Sequence, residues 1–154
     1  MIRKFRPTDL DRLKDITVVC FDGVSIDQGM ERAVGLVAGK DWKWRKARSI
    51  QEDADANPDG IFVCEADGEV VGYITTRLDP ESKIGWIPNL ATDPAHQGKG
   101  VGKALMQAAL AYLKAAGMAA VKIETLEQNR IGRKFYPSAG FVEIARQIHY
   151  VKKL

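Results

Sequence analysis

The chain is poor in the residues that build metal and redox centres. Its 154 residues include two cysteines and two histidines. No Cys-x-x-Cys pair exists, and His96 and His149 are far apart in sequence, so a structural zinc site is not expected. Each cysteine sits among apolar neighbours, Val18-Val19-Cys20-Phe21 and Ile61-Phe62-Val63-Cys64. That pattern reads as two buried free thiols in a reducing compartment. Long apolar runs are missing as well. None approaches the ~18 residues that a membrane span needs. The opening Met1-Ile2-Arg3-Lys4-Phe5-Arg6-Pro7 has neither the apolar core nor the small-residue cleavage site of a secretory leader. The expectation is a cytoplasmic, unprocessed protein with no membrane partner. Charge of one sign is also scarce: 23 Lys+Arg stand against 20 Asp+Glu, a net +3. So small a surplus does not argue for nucleic acid, although it suits an anionic small ligand.

What is present is the balance of an ordinary globular protein, with 45% apolar and 28% charged residues. The length suits one domain over 1–154, and no repeat, low-complexity tract or linker divides it. Ile2 to Arg6 reads as an opening strand. Thr8 or Asp9 can cap a helix with Leu10, Leu13 and Ile16 on one face. A break is expected over Phe21 to Gly29, then a weak helix over 30–39. Lys43 to Ala54 is a better helix, with Trp44 and Ala47 facing inward. After the turn Asn57-Pro58-Asp59-Gly60 the pattern becomes extended. Ile61 to Ala66 and Val70 to Arg77 flank the two-residue turn Asp67-Gly68, a hairpin. Ile84 to Thr92 is a third strand. Gly100 to Ala116 is the clearest helix, with Val101, Leu105, Ala108, Ala109, Tyr112 and Leu113 on one face and Gly117 at its C-terminal cap. Ala119 to Leu126 is a strand, Arg130 to Tyr136 a short helix, and Gly140 to Val151 a last strand.

The strongest local signal is a strand, then Gln97-Gly98-Lys99-Gly100-Val101-Gly102, then a long helix. Glycines at alternate positions remove side chains where a backbone must turn and approach a ligand closely. The first N–H groups of a helix lack internal partners and attract phosphates. Lys99 and Lys103 add positive charge. Spacing excludes the two commonest alternatives. A Walker A loop ending in Gly102-Lys103 would need glycine at Gln97 and Ser or Thr at Ala104. A dinucleotide fingerprint would need a small residue at Lys103 or Leu105, depending on register.

The stretch Asn89 to Gly102 resembles the acetyl-CoA signature of the GCN5-related N-acetyltransferases, Gln/Arg-x-x-Gly-x-Gly/Ala at the start of a helix. A second segment, Asn129-Arg130-Ile131-Gly132-Arg133-Lys134-Phe135-Tyr136-Pro137-Ser138-Ala139-Gly140-Phe141, is similar to that family's Asn-x-x-Ala-x-x-aromatic-Tyr motif, with Gly132 in place of the usual Ala. Ile123-Glu124-Thr125 resembles the family's fifth strand. The resemblance implies a mixed α/β fold: a mostly antiparallel sheet with splayed central strands, flanked by helices. It also implies acetyl-CoA as co-substrate and direct transfer to an amine, without metal. Gly98, Lys99, Gly100, Val101 and Gly102 would hold the pyrophosphate, bordered by Gln97 and Lys103. Leu90, Ala91 and Thr92 would bind the pantetheine arm through their backbone, and Asn129 would reach the cofactor from the neighbouring strand end. Tyr136 would protonate the departing thiolate, since a tyrosine near 10 and a thiol near 8.5 are not far apart.

The general base is open. Trp86 stands where some members carry a glutamate, eleven residues before Gln97; Asp79, Glu81 and Asn89 are weak substitutes. The segment Asp41 to Arg48 could form an acceptor-site wall or a solvated helix. His96 is expected to be an exposed cap residue, and His149 to be structural or near a dimer edge, which leaves a homodimer open. A CoA-binding module without transferase activity and the use of a longer acyl-CoA are the alternative functions. The amine acceptor is not legible.

Overall fold

The hairpin forms as its residues dictate. In the computed structural model, which describes residues 1–154, Asp67 and Gly68 adopt φ of 51° and 80°. Two positive φ values in a row match the twist of the strands they join. The elements in chain order are β1 (Ile2–Lys4), α1 (Leu10–Cys20), α2 (Ile26–Val34), α3 (Trp42–Ala56), β2 (Phe62–Ala66), β3 (Glu69–Ile74), β4 (Ile84–Trp86), β5 (Leu90–Thr92), α4 (Val101–Ala115), β6 (Ala120–Lys122) and α5 (Arg130–Ser138). One antiparallel sheet runs β1-β2-β3-β5, and β4 pairs with β6 in parallel. The fold is the mixed α/β, mostly antiparallel arrangement that the resemblance implies.

β4 and β5 are two halves of one strand, and the interruption has a residue-level cause. Trp86 pairs with Arg77, whereas Asn89 receives the next bond, from the Thr75 N–H. Three steps on one strand therefore face two on the other, which is a bulge. Pro88 sits inside it, where its missing N–H costs no ladder bond. The extra residue shifts the phase, so Asn89 faces β3 and the backbone groups of Leu90 face the opposite way.

The core lies on both faces of the sheet. α1 and α3 cover one face, burying Leu13, Ile16 and Ile50 against Ile61, Val63, Tyr73 and Ala91. α4 covers the other, burying Leu105, Met106, Ala109 and Leu113 against Cys64, Val71, Ile74 and Ile87. Each buried Leu, Ile, Val or Met among them contributes about 1.5–3 kcal/mol by leaving water. Gly72 lets α4 come close. A Cβ there would meet the Val101 Cγ1 and the Ala91 carbonyl at 3.0 Å.

Three expectations need correction. The weak second helix begins earlier, at Ile26, because Ser25 accepts a hydrogen bond from the Asp27 N–H and caps it. In α3 the inward tryptophan is Trp42, not Trp44, which is exposed. Asp41 caps the helix from one residue before Trp42, so the buried stripe runs through Trp42, Ile50 and Asp53. Last, Gly140 to Val151 forms no strand. From Val142 onward no backbone hydrogen bond is made, and a strand without a partner is not a strand.

Candidate active site

The parallel pairing of β4 with β6 stops where the Ile87 N–H donates to the Lys122 carbonyl at 3.1 Å. Beyond that point the strand facing β6 is out of phase because of the bulge. A gap opens between Leu90–Thr92 on one side and Ile123–Thr125 on the other. The Asp93 N–H donates to Val71, just as Thr75 donates to Asn89. The antiparallel alternation therefore turns the backbone of Leu90 and Thr92 towards the gap. The Thr92 carbonyl is already engaged by the Gln97 Nε2 at 3.0 Å and by the Cys20 thiol at 3.1 Å. Ala91 points its own backbone at β3 and its side chain into the core.

At the end of β5 the chain turns through Asp93. This carboxylate caps the Ala95 N–H and pairs with Arg12 at 2.7 Å, and both contacts hold it below the usual carboxylate range. Gly98 and Gly100 follow with φ of 74° and 83°. No neighbour crowds either glycine, so it is the left-handed backbone that requires them. α4 starts at Val101, and its first internal bond comes from the Ala104 N–H to Gly100. The N–H groups of Val101, Gly102 and Lys103 are thus unspent and carry the positive end of the helix dipole. Lys99 and Lys103 are exposed beside them.

The second motif adjoins this turn. A Cβ on Gly102 would lie 3.6 Å from the Phe135 ring and 4.0 Å from the Thr92 hydroxyl. α5 carries Tyr136 one residue further on. Its ring packs edge-on against Phe135 and Phe141 at 5.5 and 6.0 Å, and burial pushes its phenol up to about 12. Asn129 starts α5: its Oδ1 accepts from the Gly132 N–H at 3.1 Å, and its Nδ2 donates to the Thr125 hydroxyl at 2.8 Å. One Nδ2 hydrogen is left for a ligand. An alanine Cβ at position 132 would sit 2.9 Å from the Asn129 amide nitrogen and the Thr125 hydroxyl, so those two side chains would have to shift to admit it.

The face of the gap away from α4 carries the residues that sequence reasoning missed. Val121 and Ile123 pack with the α4 side, so Lys122 and Glu124 project to the other. The Trp86 indole donates to the Glu124 carboxylate at 2.7 Å, and Lys122 lies 3.3 Å from its other oxygen. Arg77 and Lys122 flank the Trp86 ring. These three residues line a cleft of about 420 Å³ with Leu78 and Ile84. Beneath it lies a buried polar network. Asp53, 2% exposed, accepts two bonds from Arg77 at 2.8 and 3.0 Å, one from Thr75 at 2.7 Å and one from the Asn89 amide at 2.8 Å. Lys46 donates to the Asn89 Oδ1 at 2.7 Å and stands over the Phe21 ring; burial pulls its ammonium below the ordinary lysine range. Asn89 is therefore a structural junction, while Asp79 bonds its own loop through Ser82. No sequence signal marks Asp53 or Lys46, because each meets its partners across α3 and the sheet.

His96 differs from expectation. It is half-buried, and its Nδ1 is buried without a hydrogen-bond partner. Burial raises the Cys20 thiol to about 11, which keeps it protonated and unsuited to act as a nucleophile.

A model of the acetyltransferase (GNAT) family matches residues 24–141. Mycothiol acetyltransferase of Thermomonospora curvata is 29% identical, over 97% of this chain and 54% of that protein. The chain thus spans about half the length of this relative, and 39% of the mycothiol acetyltransferase of Thermobispora bispora. Among solved structures, Ard1 from Thermoplasma volcanium superposes with a TM-score of 0.71 at 25% identity, covering 94% of this chain and 84% of that one. PaiA N-acetyltransferase from Thermoplasma acidophilum, in complex with coenzyme A, shares the fold with a TM-score of 0.71 at 19% identity, over 90% and 87% of the two chains.

Proposed function

Since this chain belongs to the acetyltransferase (GNAT) family, we propose that it transfers an acetyl group from acetyl-CoA directly to a primary amine of a small molecule or protein. The observation that carries the reading is the adjacency of the strand gap to the left-handed glycine turn. The turn offers unspent N–H groups to a pyrophosphate, and the strand edge offers unspent backbone groups to an amide-bearing arm. In this reading residues 1–154 form one N-acetyltransferase domain. Two unpaired thiols favour the cytoplasm as its compartment.

Acetyl-CoA supplies an activated acetyl thioester, and this chain's residues do the rest. Gly98 to Gly102 bind the pyrophosphate through backbone N–H groups, with Gln97, Lys99 and Lys103 at its border. Leu90 and Thr92 align the pantetheine as an added strand, chiefly through the Leu90 backbone, whereas Ala91, expected to share that role, is spent on its pairing with β3. Asn129 offers its remaining amide hydrogen. The acceptor enters from the face opposite α4, where Glu124, oriented by Trp86, receives its ammonium and takes the proton that frees the amine for attack. Tyr136, neutral over the whole working range, gives its proton to the departing sulfur. No acyl-enzyme is required.

The test is thiol release from acetyl-CoA across a panel of primary amines, with mass analysis of the products. Acetylated amine formed in step with free CoA supports the reading. Absence of measurable acetyl-CoA binding overturns it. CoA binding without transfer to any amine points to a regulatory module instead, and preference for a longer acyl thioester revises the donor.

A further inference from the structure

Three strands set their side chains in a row on the face away from α4. Trp86 of β4 pairs with Arg77 on one side and with Lys122 of β6 on the other. Directly paired residues on adjacent strands share a face. An aromatic ring therefore stands between two cations, and Leu78 and Ile84 extend its apolar surface along the cleft. Glu124 stands beside this row on the side of the gap, bonded to the Trp86 indole at 2.7 Å and to Lys122 at 3.3 Å.

The charges at the cleft are not those that a polyamine needs. Asp53 already accepts four bonds, from Arg77, Thr75 and Asn89. Asp79 accepts three from its own loop. Glu124 is left as the carboxylate with room for an incoming ammonium: Trp86 and Lys122 take one bond on each oxygen, and a carboxylate has about four lone-pair sites. The cations, by contrast, have donors to spare. Arg77 spends its Nε and one Nη on Asp53 and leaves the other Nη unbonded, with the side chain 31% exposed. Lys122 gives its ammonium one bond and is 54% exposed.

This arrangement discriminates among amines. An ammonium received by Glu124 arrives next to the Lys122 ammonium, on the same carboxylate. Like charges within about 4–6 Å disfavour each other. An acceptor that brings only positive charge leaves that repulsion standing, and a second ammonium meets Arg77 as well. A carboxylate on the same carbon as the amine removes it. It falls against Lys122 and the free Nη of Arg77, while the ammonium falls against Glu124. Ammonium, carboxylate, Lys122 and Glu124 then close a ring of alternating charges joined by charge-assisted hydrogen bonds. The side chain on that carbon lies over Trp86, Leu78 and Ile84. We propose that the acceptor is a free α-amino acid with an apolar side chain, held by Glu124 through its amine and by Lys122 and Arg77 through its carboxylate. A protein N-terminus has no carboxylate at that place, and a polyamine has none at all. The inference rests on the transferase reading and on the place it gives Glu124. The ammonium gives one proton to Glu124, and the neutral amine forms the C–N bond as the thioester C–S bond breaks. The proton it then sheds balances the one that Tyr136 gives to sulfur.

The test is calorimetric titration of the full chain, with and without saturating CoA, using leucine, leucinamide, glycine and spermidine. Binding is read rather than rate, because acid and amide differ in amine basicity. Leucinamide keeps the shape of leucine and mimics a peptide end without the charge. Leucine should bind about tenfold or more tighter than leucinamide and spermidine, the effect of one charged contact, and glycine should bind more weakly than leucine. Lys122→Gln should bring the leucine-to-leucinamide ratio below about threefold, and Lys122→Arg should restore it. Loss of structure alone would weaken both ligands together. Leucinamide or spermidine binding as tightly as leucine overturns the proposal, as does a ratio that Lys122→Gln leaves unchanged, or an absence of leucine binding in both conditions. Glycine binding as tightly as leucine overturns the apolar seat. Transfer to leucinamide or spermidine ahead of leucine overturns this inference and leaves the transferase reading standing. Leucine bound with the expected ratio but never acetylated supports the acceptor site and overturns the transfer.

Discussion

The Ile87 N–H makes the last backbone bond to Lys122, and from there the two strands part. The bulge at Pro88 sends the following backbone bonds to β3 through Asn89 and leaves Leu90 facing the gap. The opening is thus built into the sheet.

Gly100 at φ 83°, like Gly98 at 74°, holds a left-handed backbone that any side chain would strain. Gly100→Ala forces a left-handed residue with a Cβ, at a cost of about 1–2 kcal/mol. If that strain falls on the turn, acetyl-CoA affinity measured by calorimetry should weaken about tenfold. The fold should survive, because no neighbour would clash with the added methyl group.

Tyr136→Phe should reduce kcat by about a hundredfold and leave the acetyl-CoA dissociation constant within about twofold. Burial raises the phenol to about 12, so the acid form persists far above neutrality. The kcat profile should therefore show no alkaline decline due to this group below about pH 10. Unchanged turnover in the phenylalanine variant would remove Tyr136 from the chemistry.

Asp53→Asn leaves Arg77, Thr75 and Asn89 around a neutral group that cannot accept all their bonds. Breaking a buried ion pair from one side costs about 3–5 kcal/mol, and partial exposure of Arg77 places the expectation near the lower end. Urea unfolding should show it as a lower midpoint with an unchanged slope.

Alkaline pH should destabilise the fold. Burial raises Tyr73 and Tyr136 above their unfolded values, so the folded chain holds both protons more tightly than the unfolded one. This contribution is complete below about pH 10 and is lost as pH climbs through the folded values. The urea midpoint at pH 11 should lie below that at pH 8, and Tyr136→Phe should reduce the difference.

The hairpin, the glycine turn, the amphipathic α4 and the short α5 were all legible in the chain. Each depends on residues within a few positions of one another: positive φ at Gly68 and Gly100, and a helical stripe from Val101 to Leu113. The family resemblance rests on those same local signals, and with it the splayed fold and the proposed coenzyme role of the turn. Other features waited for the tertiary structure. Trp42 rather than Trp44 turns inward because the face of α3 is chosen by what it packs against. Asp53, Asn89 and Lys46 meet only when α3 lies on the sheet, and Glu124 meets Trp86 only when β6 lies beside β4. The Gly140–Val151 segment has the alternation of a strand, yet a strand needs an edge to pair with, and no local pattern specifies where that edge is. Local conformational preference is written into neighbouring residues, whereas burial, ion pairing and strand pairing are properties of partners distant in sequence.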